Sequence, residues 1–166
     1  MAAALLVPTI ILLVAFIIDV KTHKIPNKWV MISIGLALAS SYYFYDYEGL
    51  KQGATAAFVA LIMTLPLVLF GALGAGDMKL LFAFGLASTY PAVFSVIIFS
   101  FIWAAIIGVV LAVAKGRGRL LILNVYQIMT TKSHEKIQTM KIPFSVAIIL
   151  GWATFLILGI KQGALL

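Results

Sequence analysis

No cysteine occurs in the 166 residues, which excludes disulfides, a thiol nucleophile and cysteine-ligated zinc or iron–sulfur centres. Charge is almost as scarce. Asp, Glu, Lys and Arg make up 10% of the chain, against about 25% in a soluble domain. Five acids and two histidines leave few groups able to move a proton. Serines are few and lie mostly within apolar runs, and His23 and His134 both fall in loops, so no Ser-His-acid constellation is visible. What fills the chain instead is hydrocarbon: 64% of residues are hydrophobic and mean hydropathy is +1.16. That composition excludes a water-soluble globule. A hydrocarbon core about 30 Å thick takes about 20 helical residues per crossing, so this length accommodates about six spans and no separate soluble domain. The expected fold class is all-α, a polytopic transmembrane helix bundle forming a single membrane-embedded domain over residues 1–166.

Six apolar segments are legible. The first is Ala2–Ile18; it lacks a basic lead and ends in charges rather than at a small-residue cleavage site, which predicts a retained span. The second is Lys28–Tyr45, closed by the aromatic cluster Tyr42, Tyr43, Phe44, Tyr45 and Tyr47, which suits a membrane–water interface. The third is Ala54–Leu73, with a kink expected at Pro66. The fourth, Met78–Thr89, is short for a crossing. Pro91–Ala114 and Ile142–Ile160 complete the set. Within the polar interval Lys115–Lys141, the stretch Leu120–Thr131 has the apolar and polar faces of a cytoplasmic interfacial helix.

Alternating these spans places ten of the twelve basic residues on one side and leaves only Lys51 and Lys161 on the other. Basic residues collect in cytoplasmic loops. The net charge of +7 therefore reports orientation rather than nucleic-acid binding, and both chain ends are expected outside. Anionic lipid headgroups are the expected partner of the basic interval. Trp29, Trp103 and Trp152 read as interfacial anchors or packing residues.

Asp46, Glu48 and Glu135 read as solvated loop charges. Asp19 and Asp77 differ, because each sits at the cytoplasmic end of an apolar span, at matched depth. An acid so placed usually faces the protein interior and marks function or an ion pair. The ion-pair reading would join Asp19 to Lys21 or Lys24, and Asp77 to Lys79, but residues two apart do not face each other on a helix. Two carboxylates within a few ångströms cannot both ionise cheaply; one keeps a proton and the pair titrates as a unit. Such a pair can hold a water, the charged member taking its proton while the protonated member polarises a carbonyl. That is the chemistry of an aspartyl protease, which needs no metal or other cofactor. The run Gly71-Ala72-Leu73-Gly74-Ala75-Gly76 before Asp77 removes bulk where an extended peptide would enter. Ile25-Pro26-Asn27 after Asp19 forces extended geometry and offers Asn27 as an N-cap.

Two other classes stay open on these residues. A small proton- or cation-coupled transporter would use the same two acids, although the paired repeats common in carriers are not visible. A catalytically inert scaffold is the third.

The motifs carry a resemblance. Asp19-Val20-Lys21-Thr22-His23-Lys24-Ile25-Pro26-Asn27 resembles the first-aspartate motif of the type IV prepilin peptidases, and Gly74-Ala75-Gly76-Asp77-Met78-Lys79-Leu80 resembles their Gly-x-Gly-Asp motif. Lys141-Ile142-Pro143-Phe144 is similar to the opening of a later span, with the usual small residues only partly kept as Ser145-Val146-Ala147. The resemblance implies Asp19 and Asp77 as the catalytic pair, with Gly74, Gly76, Lys79, Pro26 and Asn27 shaping the site. It implies cleavage of prepilin-like or preflagellin-like leader peptides at the cytoplasmic face of the inner (plasma) membrane, just before the substrate's hydrophobic helix. Without cysteine or a cytoplasmic insertion, the chain looks like the short form of the family. Lys79 either tunes the charge of the pair or meets lipid phosphate.

Overall fold

The sequence leaves α1 (Ala2–Thr22) apolar on every side, so packing rather than amphipathicity decides which way it turns. Pro8, Ile11, Leu12, Ala15 and Asp19 are buried at intervals of three and four residues, while Leu6, Ile10, Leu13, Ile17 and Val20 are exposed on the opposite stripe. Asp19 is thus the last residue of the inward face, one turn before the helix ends. In this computed structural model, residues 2–114 and 144–162 are described, and they form α-helices without a strand among them. The interval Lys115–Lys141, with its expected interfacial helix, lies outside the described residues.

The remaining helices are α2 (Asn27–Leu69), α3 (Ala75–Leu86), α4 (Tyr90–Ala114) and α5 (Phe144–Lys161). Four helices, α1, α2, α4 and α5, are long and apolar enough to cross a membrane. The fold class is as expected, and the count of about six spans resolves into these four and two particulars. At 43 residues, a straight α2 would run ~65 Å at 1.5 Å per residue, about twice the hydrocarbon thickness. Its helix breaks at Asp46, where φ is 51° and ψ is −145°. Beyond that break the chain doubles back: a Cβ on Gly49 would collide with the Ser41 carbonyl and lie 2.6 Å from Tyr45 Cβ. Leu61 accordingly faces Val30, Met31 and Ile34 across one cavity. The second and third apolar segments are therefore the two arms of a helical hairpin. Pro66 does not break it: the helix continues through Pro66 to Leu69, so the one i−4 bond that the proline forfeits belongs to its last turns.

The second particular is α3, only 12 residues long. It is enclosed by the bundle: Leu80, Leu81, Ala83, Phe84, Gly85 and Leu86 are all buried. Small residues let it lie against the hairpin. A Cβ on Gly85 would stand 2.7 Å from Ala57 Cα, and one on Gly53 would collide with the Leu86 carbonyl. The Ser41 hydroxyl donates to the same Leu86 carbonyl at 2.6 Å, closing a backbone group that the end of α3 leaves open. From the other side, Trp152 of α5 packs edge-on against Phe84 with ring centroids 5.2 Å apart and donates its indole N–H to Thr9 Oγ1 at 2.9 Å. Trp103 likewise donates to Thr154. These two tryptophans are packing residues that tie helices together.

If close backbone approach holds α3 in place, Gly85→Ala lowers stability by about 1–3 kcal/mol, the usual cost of overpacking. Gly35→Ala, where a Cβ meets nothing within 4 Å, keeps it or raises it slightly, since alanine is the better helix former. Thermal unfolding in detergent distinguishes the two, and equal melting of both variants would contradict the packing.

Candidate active site

The end of α1 is built to bring Asp19 inward and then turn the chain away. His23 takes a φ of 52° and its N–H donates to the Asp19 carbonyl at 2.7 Å, a left-handed cap that stops the helix. Pro26 follows in extended geometry, φ −69° and ψ 140°, as the N-cap of α2. Its carbonyl accepts the N–H of Trp29 at 3.0 Å and of Val30 at 3.3 Å. This corrects the N-cap expected at Asn27, which is the first residue inside α2 and makes no capping bond. Its side chain serves another purpose: Asn27 Oδ1 accepts from Lys79 Nζ at 3.0 Å.

The loop between α1 and α2 lies on the start of α3. A Cβ on Gly76 would already touch Ile25 Cβ at 3.4 Å. Gly74, extended at φ −72° and ψ 140°, is the N-cap of α3, and Asp77 stands three residues on in its first turn. The Asp77 side chain bends back over Gly74, so that a Cβ there would sit 2.9 Å from Asp77 Oδ2. An acid at this place also faces the positive end of the helix dipole.

Asp19 and Asp77 come together at this end of the bundle, close enough for the charge of one to act on the other. Asp19 is 7% exposed; Asp77 is half-buried. Among the described residues neither acid has a cationic partner within ion-pairing distance, the single ion pair being Lys51 with Glu48 at 2.9 Å. The pairings with Lys21, Lys24 and Lys79 weighed from sequence are not formed. Lys79 is exposed and turned to Asn27 instead. Asp46 and Glu48 are exposed at the hairpin turn. Among the described residues no three histidine, aspartate or glutamate side chains gather in a metal-binding group.

One contact was not anticipated. Ser145, 1% exposed in the first turn of α5, donates its hydroxyl to Asp19 Oδ2 at 2.5 Å. Sequence reading treats Ser145 only as one of the small residues after Lys141-Ile142-Pro143-Phe144. Its place at the start of a span, at the depth of both acids, was the available signal.

A cavity of about 500 Å³ opens between the hairpin arms and α3, where it reaches Met78, the residue after Asp77. Val30, Met31, Ile34, Leu61, Met78 and Phe82 line it, with Asn27 and Lys79 among its polar members. A second cavity of about 300 Å³ touches Ser41, Ser88 and Trp152, and neither acid lines either cavity.

Span-capable helices with two neighbouring carboxylates at one end of the bundle describe a multi-pass membrane protein with an acid pair. Compared with known protein families, residues 6–113 match the type IV leader peptidase family, and the chain belongs to it. It is a leader-peptidase-like protease. The match takes in α1 to α4 and both acids and stops short of α5. No curated protein and no solved structure matches the chain.

The clearance at Gly74 gives a direct test of the loop. A methyl group there meets only the movable end of Asp77, so Gly74→Ala keeps its melting temperature yet lowers peptidase turnover roughly 10- to 100-fold, the scale of a 1 Å misplacement. Unchanged turnover would separate the loop from the chemistry.

Proposed function

We propose that this protein is an aspartic endopeptidase that removes the leader from prepilin-like or preflagellin-like proteins, with Asp19 and Asp77 as its catalytic pair. The observation that carries the reading is the approach of two carboxylates, one on α1 and one on α3, neither of which has a cationic partner at ion-pairing distance among the described residues. Family membership supplies the class of reaction. In the proposed reaction the ionised aspartate takes a proton from water, which attacks the scissile carbonyl. The protonated aspartate donates to that carbonyl oxygen, and the leaving amine then collects a proton as the tetrahedral species breaks down. No covalent acyl-enzyme forms.

The surroundings support a peptide substrate entering beside Asp77. Gly74 and Gly76 leave backbone without side chains where an extended segment would lie. The apolar cavity lined by Val30, Ile34, Leu61 and Phe82 could take the first turns of a hydrophobic helix. Pro26 sets the extended turn that presents Asn27 to the cavity, and Lys79 bonds to Asn27 and makes no ion pair with either acid. The distribution of basic residues supports a site facing the cytoplasm, in the inner membrane, with both described ends outside. Anionic lipids would meet the basic loops.

Asp19→Asn and Asp77→Asn are expected to lower cleavage of a synthetic prepilin leader–helix peptide in liposomes by at least about 100-fold, with thermal unfolding close to wild type. Full processing by either variant would overturn the proposal. Ion flux across the same liposomes that depends on both acids, without proteolysis, would favour a carrier instead.

A further inference from the structure

Most serine and threonine hydroxyls inside these helices bond back to their own backbone: Thr9 to Leu5, Thr64 to Ala60, Ser100 to Val96 and Thr154 to Leu150. Ser145 does not. It reaches to an acid 126 positions away, from one helix to another, at the short end of the range for a hydroxyl on a carboxylate. Both partners are buried, and among the described residues no other side chain hydrogen-bonds to Asp19.

We infer that Ser145 is a positioning residue, which fixes the Asp19 carboxylate by Oδ2 and leaves Oδ1 to the reacting water. The inference rests on the proposed role of the two aspartates. Three physical points lead to it. The terminal torsion of an aspartate is broad and nearly two-fold, so a carboxylate without a partner swings through orientations that do not address a neighbour. A single strong donor removes that freedom. The donor is also neutral: a lysine in its place would pair with Asp19 and discharge the interaction that lets the two acids share one proton, whereas a hydroxyl orients the group without adding charge. Finally, Ser145 is carried on α5, which packs against α1 through Trp152 and Thr9, so the lock is part of the helix–helix interface and not of a loop.

The same geometry argues against Ser145 as a nucleophile. Ser145 as a whole is 1% exposed, and its hydroxyl is committed to Asp19, so a peptide carbonyl has no route to it. It acts through Asp19 and touches no substrate atom.

The test compares Ser145→Thr, Ser145→Val and Ser145→Ala in liposomes, on the leader–helix peptide, beside Asp19→Asn. Thr and Val have nearly the same volume and differ by the hydroxyl; Ala only removes an atom and cannot overpack the site if the larger pair fails to fold. A positioning role predicts that Ala and Val lose about 10- to 100-fold in kcat with KM within about twofold, and that Thr restores most of the loss. Ala and Val at wild-type kcat, or a loss carried equally by KM, would overturn it. Covalent labelling of Ser145 by a fluorophosphonate would overturn it too, in favour of a nucleophile. If Asp19→Asn itself retains cleavage, the reading of the acid pair fails, a result distinct from failure of the serine alone.

Discussion

A carboxylate that has left water must find compensation within the bundle, and the arrangement around Asp19 is organised by that requirement. Burial of an ionised acid without a partner is among the most costly things a helix bundle can do. Asp19 is nevertheless placed on the inward stripe of α1, below Ala15, with the Ser145 hydroxyl as its side-chain donor and Asp77 as its acidic neighbour. No cation relieves it among the described residues. A bundle under selection for stability alone would fill this position with an apolar residue or neutralise it with lysine. Two acids retained here, one of them nearly enclosed, fit the catalytic use of their charge that we propose.

The rest of the fold can be understood as the means of bringing α3 to that point. A 12-residue helix is too short to cross hydrocarbon alone, so it has to be enclosed by longer neighbours. The α2 hairpin does this with alanine and glycine contacts that bring backbones together, and Trp152 closes the opposite side. Ser41 and Gly53 hold the far end of α3 at Leu86, and its first turn carries Asp77 within electrostatic reach of Asp19. Gly74 and Gly76 then let the chain enter α3 without shielding the acid.

Composition and span length were enough to read the class of fold, because hydrocarbon imposes its thickness on any chain that crosses it. The two acids were legible for a related reason: polar groups at the ends of apolar runs stand out against a background with almost no charge. The turn at Asp46 was placed by its aromatic flank, although not its positive φ, since that torsion is imposed by the tight reversal and not by the residue. Asn27 was misassigned as a cap because Asn is a good cap in general; here the preceding proline takes the position and frees the side chain for Lys79. Ser145 escaped notice because a serine in an apolar span normally bonds to its own helix, and only tertiary packing reveals a different partner. Helices apolar on all sides also hide which stripe faces inward, so neighbouring helices could not be matched from sequence.

The account depends on Asp19 and Asp77 occupying the same small volume in the folded protein. The natural absence of cysteine makes this unusually clean to measure: in the double variant Asp19→Cys, Asp77→Cys, any intramolecular disulfide must join these two positions. Under mild oxidation in liposomes, the account predicts rapid cross-linking, read by mass spectrometry of the linked peptides and absent from either single variant. Two thiols that remain separately alkylatable under those conditions, and that a short bifunctional maleimide also fails to bridge, would contradict it.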